Sequence, residues 1–266
     1  MRIERSIFLS FLCLFLFLPI TAFGYERIIS LSPQITESIY LMGAEKALIA
    51  NTTFCNRPID ATKKEKIGTP QRPDLEKIVS LKPDLVIAAQ EGNSLWFVER
   101  IRRLGINTFF FKRPRNFKDL SRNFLVLGGL LKKAETANNI IVDVEHRLYK
   151  NNESYPFGVL WQVGSDPIVV ATKASFVNDI IEYAGGKNII NSDVPYMRVN
   201  IEEVLKNPPH IIVLMDMGYS IKTEEKRWKK YLKNPAFVIL DPYVASSPTP
   251  VTFLEAVIRL KEAKNF

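Results

Sequence analysis

Short apolar runs alternate along the chain with stretches whose apolar positions recur every three or four residues, the pattern of strands followed by amphipathic helices. Arg27–Leu31 reads as a short buried strand, closed by Ser32 and Pro33 ahead of a helical pattern of Ile35, Ile39, Tyr40 and Leu41 that stops at Gly43. Ala47–Ala50 is the next strand. Asp74 is placed to cap a helix over Leu75–Leu81, and Pro83 halts it before the apolar strand Leu85–Ala89. Trp96–Leu104 predicts a helix ended by Gly105, and Thr108–Phe111 a strand. Two long helical patterns follow, Phe117–Leu131 and Lys133–Tyr149, with Gly128 and Gly129 marking a bend or break between them. The alternation then restarts with Gly158–Val163, Val169–Ala171, a helix over Phe176–Ala184 ended by Gly185, Val204 with Leu205, and Ile211–Met215.

Strands joined by crossover helices predict mainly parallel sheets covered on both faces, an α/β class. One internal echo refines this. Leu75–Ile87 and Ile201–Val213 both run acid, short helix, proline, strand, and their offset is close to half the chain without its N-terminal segment. Either the chain holds two lobes of similar topology, one after the other, or a common helix-turn-strand unit recurs by chance. The Lys133–Tyr149 segment is long enough to bridge two such lobes.

The first residues change the picture. Arg2 and Arg5 precede an apolar run from Ile7 to Ile20, with small residues at Ala22 and Gly24, the layout of a secretory signal peptide. The run is about 14 residues, short of the roughly 20 that cross hydrocarbon. Cys13 lies inside the run rather than behind small residues at its end, a poor position for lipid attachment. Cleavage after Gly24 would leave Cys55 alone, so packing rather than a disulfide must hold the fold. The formal charge of +8 is scattered, with local clusters at Arg113 with Arg115 and at Lys226–Lys230. No basic stripe with interleaved aromatic platforms is present, and nucleic acid is set aside as a partner.

Enzyme signatures are missing: no G-x-S-x-G elbow, no H-E-x-x-H pair, no phosphate-cradling loop and no G-x-G-x-x-G turn. His146 and His210 stand apart, without the spacing of a metal site, so no catalytic or metal residue is assigned. Aromatic residues offer more. Phe54, Tyr196 and Tyr243 lie among turn formers, and Trp161 lies towards the end of a strand. Ligands of open α/β sheets bind beyond the carboxyl ends of strands, and flat aromatic faces suit a large planar ligand. Each of these residues is equally open to ordinary loop packing. Glu76 and Glu202 hold equivalent places in the two echoing segments, each in the first turn of a helix. Either they answer the helix dipole, or they form a symmetric pair of docking points for a dimeric partner carrying arginines.

Taken in order, Arg27–Pro33 with Thr36 and Glu37, Phe54–Pro58, Leu75–Ile87, Ala184–Ile189, Val194–Tyr196, Ile201–Val213 and Ser247–Pro250 resemble the periplasmic cobalamin and iron-chelate binding proteins, the helical-hinge class of ABC receptors. The resemblance spans nearly all of the chain after its leader. It implies two α/β lobes joined by one long helix, a cleft between them, and little motion on binding. The organisation expected is a signal peptide over 1–24, an N-terminal lobe over 25–131, a linking helix over 132–154 and a C-terminal lobe over 155–266. It further implies a periplasmic protein, a monomer when free, that delivers its ligand to an ABC permease dimer with a cytoplasmic ATPase, and that performs no reaction. Glu76 and Glu202 match the family's lobe-tip glutamates, which engage permease arginines.

Ligand contacts are expected at Phe54, Arg72, Trp161, Tyr196 and Tyr243, with no intrinsic cofactor. Where the family's cobalamin receptors carry tryptophans and an arginine, this chain has Pro70 or its neighbour, Ala89 and Ala245–Ser246. The transported ligand ranks as a cobalt corrinoid first and a ferric siderophore second, for which Arg72 and Arg198 would supply charge, with haem third. The alternatives are a secreted enzyme or a sensor acting on a metal chelate or tetrapyrrole in the same cleft.

Overall fold

The computed structural model describes residues 24–149 and 157–263. The expected leader therefore lies outside the described residues except for Gly24, as does the end of the linking segment.

The N-terminal half builds one all-parallel sheet, ordered β3-β2-β1-β4-β5, from β1 (Ile28–Ser30), β2 (Leu48–Asn51), β3 (Glu65–Lys66), β4 (Leu85–Ala89) and β5 (Thr108–Phe111). Helices α1 (Pro33–Leu41), α2 (Leu75–Ser80) and α3 (Leu95–Arg103) cross between the strands. Both faces of the central strands β1, β2 and β4 are buried, which is why they read as apolar runs, whereas edge strand β3 is the polar pair Glu65–Lys66. Along β4, Leu85, Ile87 and Ala89 join one core cluster while Val86 and Ala88 join another on the opposite face. The expected stops hold: Gly43 and Gly105 take φ of 64° and 80° at the ends of α1 and α3, a conformation glycine enters without strain.

The C-terminal half holds a second, six-stranded sheet. Parallel β11 (Ala236–Leu240), β10 (Ile211–Met215) and β6 (Phe157–Ser165) form its centre, and β8 (Gly186–Asn188) also runs parallel to β6. Antiparallel β7 (Ile168–Ala171) and β9 (Tyr196–Arg198) extend it. Helices α6 (Val177–Tyr183), α7 (Ile201–Leu205), α8 (Ile221–Tyr231), α9 (Pro242–Ser246) and α10 (Pro250–Ala263) complete the lobe. The architecture is thus two mainly parallel α/β lobes, as expected, with α2 and α7 at the two echoing positions.

Two antiparallel helices join the lobes. On α5 (Ala134–Tyr149), Ala137 and Ile141 enter the N-terminal core while Val144 and Leu148, one and two turns further on, enter the C-terminal core. On α4 (Phe117–Leu130) the order is reversed: Phe117 and Leu120 serve the C-terminal core, Phe124 and Leu127 the N-terminal one. Each helix carries a single apolar stripe at helical spacing, and that stripe feeds two cores. Asp179 of α6 fixes the start of α4 to the C-terminal lobe by accepting the Phe117 N–H at 2.7 Å.

The glycine pair does not break the helix, contrary to the sequence expectation. Both glycines lie in the last turns of α4, and the chain reverses at Leu131–Lys133, where Lys132 takes a positive φ of 55°. Gly128 is instead a packing position: a Cβ there would lie 2.5 Å from the Ala137 Cβ of α5, whereas one on Gly129 would meet nothing within 4 Å. Gly128→Ala should therefore cost about 1–3 kcal/mol by forcing the helices apart. Gly129→Ala should gain about 0.5–1 kcal/mol through helix propensity. Calorimetric melting should show opposite shifts, and shifts of the same sign would contradict this packing.

Candidate functional site

Segments beyond the carboxyl ends of the N-terminal sheet and of the parallel centre of the C-terminal sheet meet between the lobes. In the N-terminal lobe these follow β1, β2, β4 and β5. The β2 loop is anchored from within. Cys55 is fully buried, its sulfur 3.2 Å from Thr36 Oγ1 and 3.1 Å from Thr52 Oγ1, and burial pushes its thiol up in pKa. Lys66 Nζ donates to Asn51 Oδ1 at 2.7 Å and to the Ala61 carbonyl at 3.0 Å, closing the base of the same loop. The Phe54 side chain is left 49 % exposed at the tip.

Tyr243, on α9 of the other lobe, reaches this loop. Its hydroxyl donates to the Phe54 carbonyl at 2.5 Å and accepts the Asn56 N–H at 3.3 Å. Burial pushes the Tyr243 phenol well above its ordinary range, so it stays a neutral donor. Beside it Arg57 spans the lobes, with Nε 3.4 Å from Glu37 of α1 and a terminal nitrogen 3.7 Å from Glu255 of α10. Glu37 is buried and its Oε2 has no hydrogen-bond partner among the described residues. Burial pushes its carboxyl up, and the nearby Glu255 and Asp241 add to this, against the opposing pull of Arg57. Phe54 and Tyr243, two of the expected ligand residues, are thus brought together across the interlobe gap by a polar clasp.

Tyr196 lies on the edge strand β9 and is 47 % exposed. Burial pushes its phenol up, while Arg113 of the opposite lobe is near enough to pull it down. Arg72 is exposed in the turn between β3 and α2, where its backbone N–H donates to Thr69. Trp161 is placed elsewhere. Its register on β6 turns it into the C-terminal core, fully buried, with the indole N–H donating to Met215 Sδ at 2.9 Å. Alternation along the strand, rather than nearness to the strand's end, decides where that ring points. Its face is not presented to the cleft.

Glu76 and Glu202 are both exposed in the first turns of α2 and α7, behind the caps Asp74 and Asn200. His210 is structural, its Nδ1 accepting the Gly158 N–H at 2.9 Å. Among the described residues no group of three or more His, Cys, Asp or Glu side chains is placed to hold a metal ion.

Two rim residues escaped the sequence reading. Buried Asn93 donates to the carbonyls of Leu31 and Pro70 at 3.1 and 2.8 Å and accepts the Ala89 N–H at 2.8 Å, tying three cleft-edge segments together. The only hint was an asparagine in a turn directly after a strand. Trp96, assigned to a helical face, opens α3 with its ring 66 % exposed and the Arg100 guanidinium 4.9 Å from the ring centre.

Comparison with known proteins agrees with this arrangement. A family model described as periplasmic binding protein matches residues 28–249. The vitamin B12-binding protein of Vibrio cholerae is 29 % identical over 257 residues, 92 % of this chain and 92 % of that protein. The crystal structure of the periplasmic vitamin B12 binding protein of Vibrio cholerae superposes with a TM-score of 0.71 at 26 % identity, covering 91 % of this chain and 97 % of that one. A possible iron-binding, periplasmic solute-binding protein from Staphylococcus epidermidis shares the fold, with a TM-score of 0.79 at 23 % identity over 92 % of this chain and 100 % of that one.

The buried Glu37 gives the clasp a pH signature. A carboxyl whose folded pKa sits above its ordinary 4.5 holds its proton more tightly in the native state. Its contribution to stability is therefore full below that value and is lost as pH rises through the raised pKa. Urea unfolding of Glu37→Gln against the parent should show this loss removed in the variant. Identical pH slopes from pH 4 upward would mean that Glu37 titrates normally.

Proposed function

We propose a role for the chain from the premise that it belongs to the periplasmic binding protein family. It is the substrate-binding component of an ABC importer. Its cargo is a cobalt corrinoid, held between the lobes against Phe54, Tyr196 and Tyr243 and handed to a membrane permease without chemical change. The observation that carries this reading is the convergence of Phe54 and Tyr243 from opposite lobes. The Tyr243 hydroxyl meets the Phe54 backbone at the carboxyl-end loops of the two sheets, where ligands of open α/β sheets bind, which supports both rings as cargo contacts. A relative covering 92 % of the chain is named for vitamin B12 binding, which favours a corrinoid over a ferric siderophore or haem. Arg72, on the N-terminal lip, is a further cargo contact. The segment before Tyr25 acts as the leader that exports the chain to the periplasm.

Calorimetric titration with cyanocobalamin, a ferric siderophore and haemin should show saturable one-to-one binding of the corrinoid. Phe54→Ala and Tyr196→Ala should each weaken it about tenfold, the loss of one stacking face, or about 1.4 kcal/mol. Heat only from the iron chelates would reassign the cargo.

Glu76 and Glu202 are the docking points for the permease. Both are exposed and both stand at the carboxyl-end side of their sheets, because α2 and α7 each leave that edge. Carboxylates so placed can take charge-assisted bonds from arginines of a two-fold partner. The double variant Glu76→Ala, Glu202→Ala should keep cargo affinity within about twofold and lose most uptake in a permease-dependent growth assay, the two charge-assisted bonds being gone. Undiminished uptake would remove the docking role.

A further inference from the structure

A second concave region lies on the N-terminal lobe beside the cleft. β5 is the edge strand of its sheet, and a groove of about 750 Å³ runs between it and α4, within the size range of small-molecule sites. Its apolar side is the run Phe109–Phe111, with the rings of Phe109 and Phe111 in tilted contact at 4.6 Å. Its polar side gathers Lys112, Arg113, Arg115 and Arg122 against one carboxylate, Asp119.

That carboxylate does not neutralise the site. Asp119 accepts from Arg115 Nε at 3.2 Å and from Arg122 at 3.3 Å, fixing two guanidiniums that remain 85 % and 63 % exposed. Lys112 and Arg113 are exposed and make no ion pair among the described residues. Their backbone is nevertheless held, with Asn123 Nδ2 donating to the Lys112 carbonyl at 2.9 Å and the Arg113 N–H donating to Gln90 Oε1 at 3.1 Å. Buried Glu91 lies near enough for Arg113 to act on it, so four cations face two carboxylates and the wall keeps a net positive charge. Such a concave wall focuses a positive field, and guanidiniums with free N–H groups match phosphate or carboxylate oxygens. The groove reaches the cleft side of the sheet, since its lining residues Gln90 and Arg113 follow the carboxyl ends of β4 and β5.

We propose that this groove binds a phosphate or carboxylate carried on a flat or apolar body, and that in transport it takes the anionic arm of the cargo. The second half rests on the corrinoid reading above; the first does not.

The test uses 15N-labelled protein and two probes of one shape, 1-naphthyl phosphate and neutral 1-naphthol. Naphthyl phosphate should give saturable amide shifts confined to the 109–126 stretch. Naphthol should bind at least about tenfold more weakly, as should the phosphate to Arg115→Gln, Arg122→Gln. Lys112→Gln, which breaks no ion pair, should weaken it severalfold on its own. Raising salt from about 0.05 to 0.5 M should weaken the phosphate alone. No saturable shifts there, or equal binding of the two probes, overturns the site.

A second arm compares cyanocobalamin with dicyanocobinamide, which lacks the phosphodiester arm. The double variant should lose several-fold affinity for the first and stay within about twofold for the second, since only the phosphodiester makes charge-assisted bonds. Equal losses, or none, overturn the cargo-arm role. If the parent protein binds neither corrinoid, the cargo reading and this arm fall together, and the naphthyl phosphate result still decides the groove.

Discussion

The structure depends on two helices that belong to both halves at once. α4 and α5 lie antiparallel, and each spends one half of its apolar stripe on the N-terminal core and the other half on the C-terminal core. Rotating one lobe against the other would pull Phe117, Leu120, Val144 and Leu148, or their counterparts at the far ends, out of contact. Each side chain withdrawn costs about 1.5–3 kcal/mol of buried apolar surface. The lobe separation is therefore set by packing, and the cleft between the sheets is a preformed gap rather than a jaw that swings.

A preformed gap still has to be kept in shape where the lips meet. Tyr243 and Arg57 do this with polar contacts at the surface of the gap, where partial solvent access keeps the bonds individually weak. Such contacts can be exchanged for contacts with cargo, whereas the helix contacts cannot. The side chains of the clasp and the Phe54–Arg57 loop are then the parts that adjust, and the lobes are not. Glu37 adds a buried carboxyl to the clasp beside Arg57, and one of its oxygens has no hydrogen-bond partner among the described residues.

Much of the scaffold was legible because strands buried on both faces and helices ended by glycine leave strong local marks. β4, β5 and β10 fall where their apolar runs stand, and the echo between Leu75–Ile87 and Ile201–Val213 led directly to α2 and α7 with Glu76 and Glu202 in their first turns. What was not legible is whatever depends on contacts distant in sequence. The Tyr243 hydroxyl and the Phe54 carbonyl are separated by 189 positions and show no shared pattern. Trp161 looked like a strand-end platform, but its register on β6 sends it inward, and only pairing with β10 reveals that. Gly128 read as a break because a glycine pair usually is one, whereas here its missing Cβ is what Ala137 packs against. In α8 the charged run Ile221–Tyr231 hides a stripe reduced to buried Glu224 and Trp228, so that helix leaves little apolar periodicity to read.

The central claim is that shared helices hold the lobes at a fixed distance across the gap that receives cargo. Pulsed electron resonance between spin labels placed by Arg103→Cys on α3 and Lys222→Cys on α8, with buried Cys55 left in place, reads that distance directly. The account predicts one narrow distribution that shifts by less than about 2 Å when cyanocobalamin saturates the protein. A broad distribution in the free protein, or a shortening of many ångströms on binding, would contradict it.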